Sequence, residues 1–77
     1  MARGRWRVDP DALALVMTRR GIGGPELARL SHVSPSLIRN LRNGAYSVTR
    51  TATLVIICDV LGCAPELIAT RVQDGAL

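Results

Sequence analysis

The sequence predicts an all-α domain of five short helices, and three observations lead there. Apolar residues recur at helical spacing, as in Leu54, Ile57, Cys58 and Leu61, which share one helix face at i, i+3, i+4 and i+7. Prolines stand where helices should open, at Asp9-Pro10, Gly24-Pro25, Ser34-Pro35 and Ala64-Pro65, because a proline near the first helical position forfeits no hydrogen bond. Glycines stand where helices should stop, at Gly21, Gly44 and Gly62, since only glycine enters the left-handed cap conformation without strain. The chain is 48% hydrophobic yet has no Phe, one Trp and one Tyr among 77 residues, so its single core must be aliphatic. Domains of about 55–65 residues fold alone, so this core needs no staples.

Taken in order, residues 1–8 read as a flexible basic arm. Asp9 caps the first helix, Val8 and Leu13 are spaced as a hydrophobic staple across its start, and Arg19 and Arg20 meet the negative dipole end before Gly21. A second helix covers residues 25–31, with Leu27, Ala28 and Leu30 expected inward and Glu26 and Arg29 outward. After His32 and Val33, Ser34 caps a third helix that ends near Asn43-Gly44. Two short helices joined by about three or four residues form a helix-turn-helix unit. A loop over residues 45–48 leads to Thr49 as the expected cap of a fourth helix, which ends at Gly62, and a fifth runs from Pro65 to about Arg71. The domain thus spans 9–72, and residues 73–77 are expected to fray.

The formal charge is +4, and all ten basic residues are arginine. Arginine's planar, five-donor fork suits phosphates and guanine edges, although an all-arginine set also follows from a GC-rich coding sequence. Other classes fit poorly. One histidine and scattered acids, with no nucleophile–base pairing, leave nothing from which to build a catalytic site. Cys58 and Cys63 lack the further ligands a zinc site needs, so no metal or cofactor is expected, and both read as core thiols of a reducing cytoplasm. No apolar run reaches the roughly 18–20 residues that span a membrane. No apolar stretch follows the first arginines, so no secretory signal is expected. Nor is a small-molecule effector pocket evident.

The third helix is the most informative element. At about 100° per residue, Leu37, Ile38 and Leu41 fall on one arc, and Ser36, Arg39, Asn40 and Asn43 on the opposite one, with no acid among them. Arg39 can meet guanine O6 and N7 as a bidentate pair, and Asn40 can meet adenine N6 and N7. Ser36 can reach a base edge or a phosphate, and the amides at the helix start can receive a phosphate oxygen. An ordinary solvated helix is also polar outside, so the arc gains meaning from its place in the motif.

That place resembles a known family. Leu27-Ala28, Val33-Ser34, Ile38, Leu41, Asn43-Gly44, Leu54, Ile57 and Leu61-Gly62 occur in order and without gaps, and the stretch from Gly21 to Leu61 is similar to the Cro/C1-type (XRE-like) helix-turn-helix family. The resemblance implies a lambda-repressor-like five-helix fold whose helices two and three form the motif. It also implies a transcriptional regulator, foremost a phage Cro-like repressor, with a double-stranded DNA operator as partner and the bacterial cytoplasm or nucleoid as its place. By position it implies base contacts from Pro35, Ser36, Arg39 and Asn40, and phosphate contacts from the Gly24 amide, Asn43, Tyr46 and Arg50; packing is an equal role for Tyr46. The sequence departs from the family at Gly24, where Gln is frequent, at His32, where the turn usually has Gly, and at Met17 and Arg42, where relatives bury an Arg–Glu pair.

Two further surfaces follow. Arg3, Arg5 and Arg7 on an extended arm can enter an A·T-rich minor groove, or serve only as a tail of nonspecific attraction; Trp6 is expected to cover the core. Ile56 and Val60 form a second apolar stripe on helix four which, with Leu67, Ile68 and Val72, offers either a homodimer face or a seat for the C-terminal tail. A recombination directionality factor and the antitoxin of a toxin–antitoxin pair remain the alternative functions.

Overall fold

The computed structural model describes residues 4–44 and 48–72 of the chain. Along the chain these form β1 (Arg5–Val8), α1 (Pro10–Arg20), α2 (Gly24–Ser31), α3 (Pro35–Asn43), β2 (Val48–Arg50), α4 (Thr51–Leu61), α5 (Pro65–Ile68) and β3 (Ala69–Arg71). Five helices are present as expected, but the domain is not all-α. A three-stranded sheet in the order β2-β1-β3, antiparallel throughout, closes one side of it.

The helix boundaries are made by the local chemistry that the sequence displays. The Asp9 carboxylate accepts the amides of Asp11 at 3.0 Å and Ala12 at 3.4 Å, and Pro10 follows in the first turn. Gly21 ends α1 at φ 68°. The Ser34 hydroxyl accepts the Ser36 amide at 3.1 Å, and Gly44 and Gly62 end α3 and α4 in the same left-handed region. His32 occupies that region too, at φ 58°, and is the one non-glycine among the described residues to do so. It terminates α2 with its amide on the Ala28 carbonyl.

The core is aliphatic. Val8, Leu13, Leu27, Ile38, Leu41, Leu54, Ile57, Leu61 and Ile68 are wholly buried, with Trp6 closing the sheet side. Cys58 is buried and Cys63 half-buried, both as free thiols. Burial, then the neighbouring Cys63 and Glu66, pushes the Cys58 thiol up to about 12. Among the described residues no helix is long and apolar enough to cross a membrane.

Several expectations are corrected. Arg5–Val8 is not a flexible arm but the central strand: its alternation puts Arg5 and Arg7 outside and buries Trp6 and Val8, which is the period-two signature of a half-buried strand. Thr49 does not cap α4. It lies in β2, buried opposite Trp6, and α4 begins two residues later. There the Thr51 amide and hydroxyl both donate to the Gly4 carbonyl, at 3.1 and 2.8 Å, while the hydroxyl accepts the Trp6 indole N–H at 2.9 Å. Leu30 points outward, because the buried stripe of α2 is Gly24, Leu27, Ala28 and Ser31; the Ser31 hydroxyl fits there by donating to the Leu27 carbonyl at 2.6 Å. The last helix stops at Ile68, after which the backbone extends into β3 to complete the sheet.

The apolar stripe proposed for a second copy also changes. Ile68 is 1% exposed and belongs to the core, and Val60 is half-buried against that core. Ile56 and Leu67 remain exposed, at 46% and 60%. Leu67 borders a groove with Leu15, Val16 and Cys63 between α1 and the α4–α5 turn.

Candidate nucleic-acid interface

α2 and α3 pack on each other, with α1 behind α3 and α4 behind α2, so α3 is held by its apolar arc alone. Ile38 and Leu41 are buried and Leu37 is half-buried. On the other arc Pro35, Ser36, Arg39, Arg42 and Asn43 are exposed and Asn40 is half-buried. The helix therefore offers hydrogen-bonding side chains from Ser36 to Asn43, and carries no carboxylate. Among the described residues the side chains of Arg39, Asn40, Arg42, Asn43 and Arg50 have no hydrogen-bond or ion-pair partner within the chain. The single ion pair among the described residues, Arg29 to Glu26 at 3.9 Å, lies within α2.

The structure gathers some of the expected residues and separates others. Gly24, Pro35, Arg39 and Asn43 border one cleft of about 520 Å³ between the starts of α1 and α2 and the length of α3. Ser36 and Asn40 lie outside that cleft, on the outward side of the same helix. Arg50 is exposed where β2 passes into α4. Tyr46 and Arg3 lie outside the described residues.

Arg42, which from the sequence either bonds carbonyls or an acid elsewhere or swings out to phosphate, borders the same cleft. Its Nη1 stands 3.3 Å from the point where a Cβ on Gly24 would sit. A side chain at residue 24 would thus press on the tip of this exposed, flexible arginine. The two departures from the family pattern, at 24 and at 42, are therefore one arrangement. Met17, the third, is buried in the core, and the one acid of α1 that shares the cleft with Arg42 is Asp11, at the helix start.

The outer face of the sheet is basic. Arg5 and Arg50 stand directly opposite each other in the β1–β2 ladder, with Arg7 two residues along on the same face. On the inner face the guanidinium of Arg71 lies 5.5 Å from the centroid of the Trp6 ring, a cation–π contact at the edge of the core.

Comparison with known proteins places this geometry. Residues 12–74 match the family model of the Cro/C1-type HTH DNA-binding domain. Among solved structures, the transcriptional regulator VanUg superimposes with a TM-score of 0.68 at 25% identity, over 87% of each chain. A variant of hydroxyethylphosphonate dioxygenase shares the fold over 83% of this chain, with a TM-score of 0.69 at 23% identity. This chain spans only 14% of the dioxygenase, so that likeness concerns the fold alone. No curated protein sequence matches the chain.

Proposed function

The chain belongs to the Cro/C1-type HTH DNA-binding domain family, and from that premise we propose that it is a sequence-specific transcriptional regulator that reads double-stranded DNA in the major groove. One observation carries the reading: α3 buries Ile38 and Leu41 while presenting Pro35, Ser36, Arg39 and Asn40 outward, acid-free and with no side-chain partner among the described residues. An α-helix fits the major groove of B-DNA, where Arg and Asn make the bidentate contacts that distinguish guanine and adenine. In this reading Arg39 and Asn40 supply specificity, and Pro35 and Ser36 set how closely the helix start approaches the bases. The Gly24 amide, Asn43 and Arg50 hold the phosphates that fix the register.

Within that class the chain fits a Cro-like repressor, which acts by occupying an operator. In this reading a second copy docks through the exposed Ile56 of α4 or through Leu67 of α5. Two-fold pairing requires half-sites about 34–36 Å apart along the duplex. In vitro selection from random duplexes, followed by sizing of the complex on the selected site, tests both parts. The reading expects an enriched, inverted-repeat sequence bound by two chains. Selection that enriches no sequence would overturn base reading, and one chain on an asymmetric site would overturn the paired arrangement.

A further inference from the structure

We propose that the outer face of the sheet extends the phosphate-binding surface beyond Arg50, with Arg5 gripping the DNA backbone beside it. The inference rests on the reading of α3 as the element that meets DNA. It starts from a placement that stability alone does not favour. Arg5 on β1 and Arg50 on β2 are register partners in an antiparallel ladder. Side chains of such partners leave the sheet on the same face with Cβ atoms about 4.5–5.5 Å apart, and like charges so placed repel. Both residues are exposed, and neither has an acidic partner among the described residues. Arg7 adds a third cation on that face.

The ligand chemistry follows from the groups. Two guanidinium forks projecting side by side present a dense array of N–H donors and two fixed positive charges, which match the non-bridging oxygens of a phosphodiester. Their backbones are set by the ladder, and the N-terminal side of β1 is tied to the start of α4 by the two Thr51 bonds to the Gly4 carbonyl. Arg50 lies on the strand that precedes α4, so Arg5 is brought to it by folding across 45 residues of sequence. The strand thereby assigns Arg5 to the backbone rather than to a minor-groove arm.

The test uses the full chain and a duplex of random sequence, with Arg5→Gln, Arg50→Gln, the double variant and Arg5→Lys. Without DNA at low salt, Arg5→Gln should raise Tm by about 1–8 °C, because it relieves the repulsion, and the gain should vanish near 1 M salt. With DNA, each Gln variant should lose about ten-fold in affinity at 50 mM salt and lower the slope of log K against log salt by about 0.9, the double variant by about 1.8. Arg5→Lys keeps the charge in register and should keep the slope. A folded Arg5→Gln with an unchanged slope would overturn the proposal, as would a slope lost equally in Arg5→Lys. The α3 reading is scored separately, by the loss of sequence preference in Asn40→Ala. A variant set in which that preference falls while the Arg5 slope stays fixed rejects the sheet surface alone.

Discussion

Replacing Thr51 by Val should unfasten the sheet from the helical body, and the size of the effect can be worked out from three contacts. The Thr51 hydroxyl accepts the Trp6 indole N–H at 2.9 Å and donates to the Gly4 carbonyl at 2.8 Å. Valine has the same shape without the hydroxyl. The Gly4 carbonyl keeps the Thr51 amide at 3.1 Å, so its loss is partial. The indole N–H belongs to a side chain only 6% exposed, and a buried donor left without a partner costs about 1–3 kcal/mol. For a domain of this size each kcal/mol moves Tm by about 4–8 °C, so Thr51→Val should melt roughly 5–20 °C lower. Thr51→Ser, which keeps the hydroxyl, should retain most of the stability. Thermal unfolding followed by far-ultraviolet circular dichroism measures this, and fluorescence from the chain's single tryptophan is a second probe at the affected site. A Thr51→Val protein within about 0.5 kcal/mol of the parent would refute the claim that this bond clasps β1 to α4.

Three other outcomes follow from particular contacts. Gly24→Ala places a Cβ 3.3 Å from Arg42 Nη1, so it should displace the guanidinium and change duplex affinity, whereas the same substitution in an Arg42→Gln background should have little effect; additive changes in a binding cycle would show that the two positions are independent. His32→Gly removes a left-handed residue at φ 58°, a conformation that costs a non-glycine residue about 1–2 kcal/mol; part of that gain is lost to the freer unfolded chain, leaving a net rise of up to about 1 kcal/mol by urea denaturation, and a lower midpoint would contradict it. Cys58 is held protonated in the fold up to about 12 against an ordinary value of 9.0, chiefly by burial. Its contribution is therefore intact below pH 9 and lost as pH rises towards 12, because the unfolded state gives up the proton first. Cys58→Ala should show a shallower alkaline decline, and parallel curves would count against the buried thiol.

The sequence reveals the helices and hides the sheet, for a physical reason. Helix ends are set within a few residues, so Asp9, Ser34, Gly21, Gly44 and Gly62 announce them locally. Strand partners are set by folding. The segment Arg5-Trp6-Arg7-Val8 carries the alternation of a strand, but its partners at 48–50 and 69–71 are short and distant, and its two arginines make it look like a basic tail. Thr49 reads as a cap in sequence; only the tertiary fold buries it opposite Trp6 and hangs Thr51 from Gly4. Ile68 reads as a surface residue of a last helix that runs to about Arg71, whereas that helix stops at Ile68 and buries it. The polar arc of α3 was legible because helical periodicity sorts it without any partner. The approach of Arg42 to Gly24 was not, since it joins two helices through the tertiary fold.

The account's central claim is that α3 reads bases, and Asn40→Ala measures it most directly. Asn40 is half-buried on the outward side of α3, with no partner within the described chain, so its loss should leave the fold intact. Affinity for the selected operator should fall by about 1–3 kcal/mol, while affinity for a random duplex at the same salt should hardly change. An equal loss on both duplexes, or none on either, would contradict the claim.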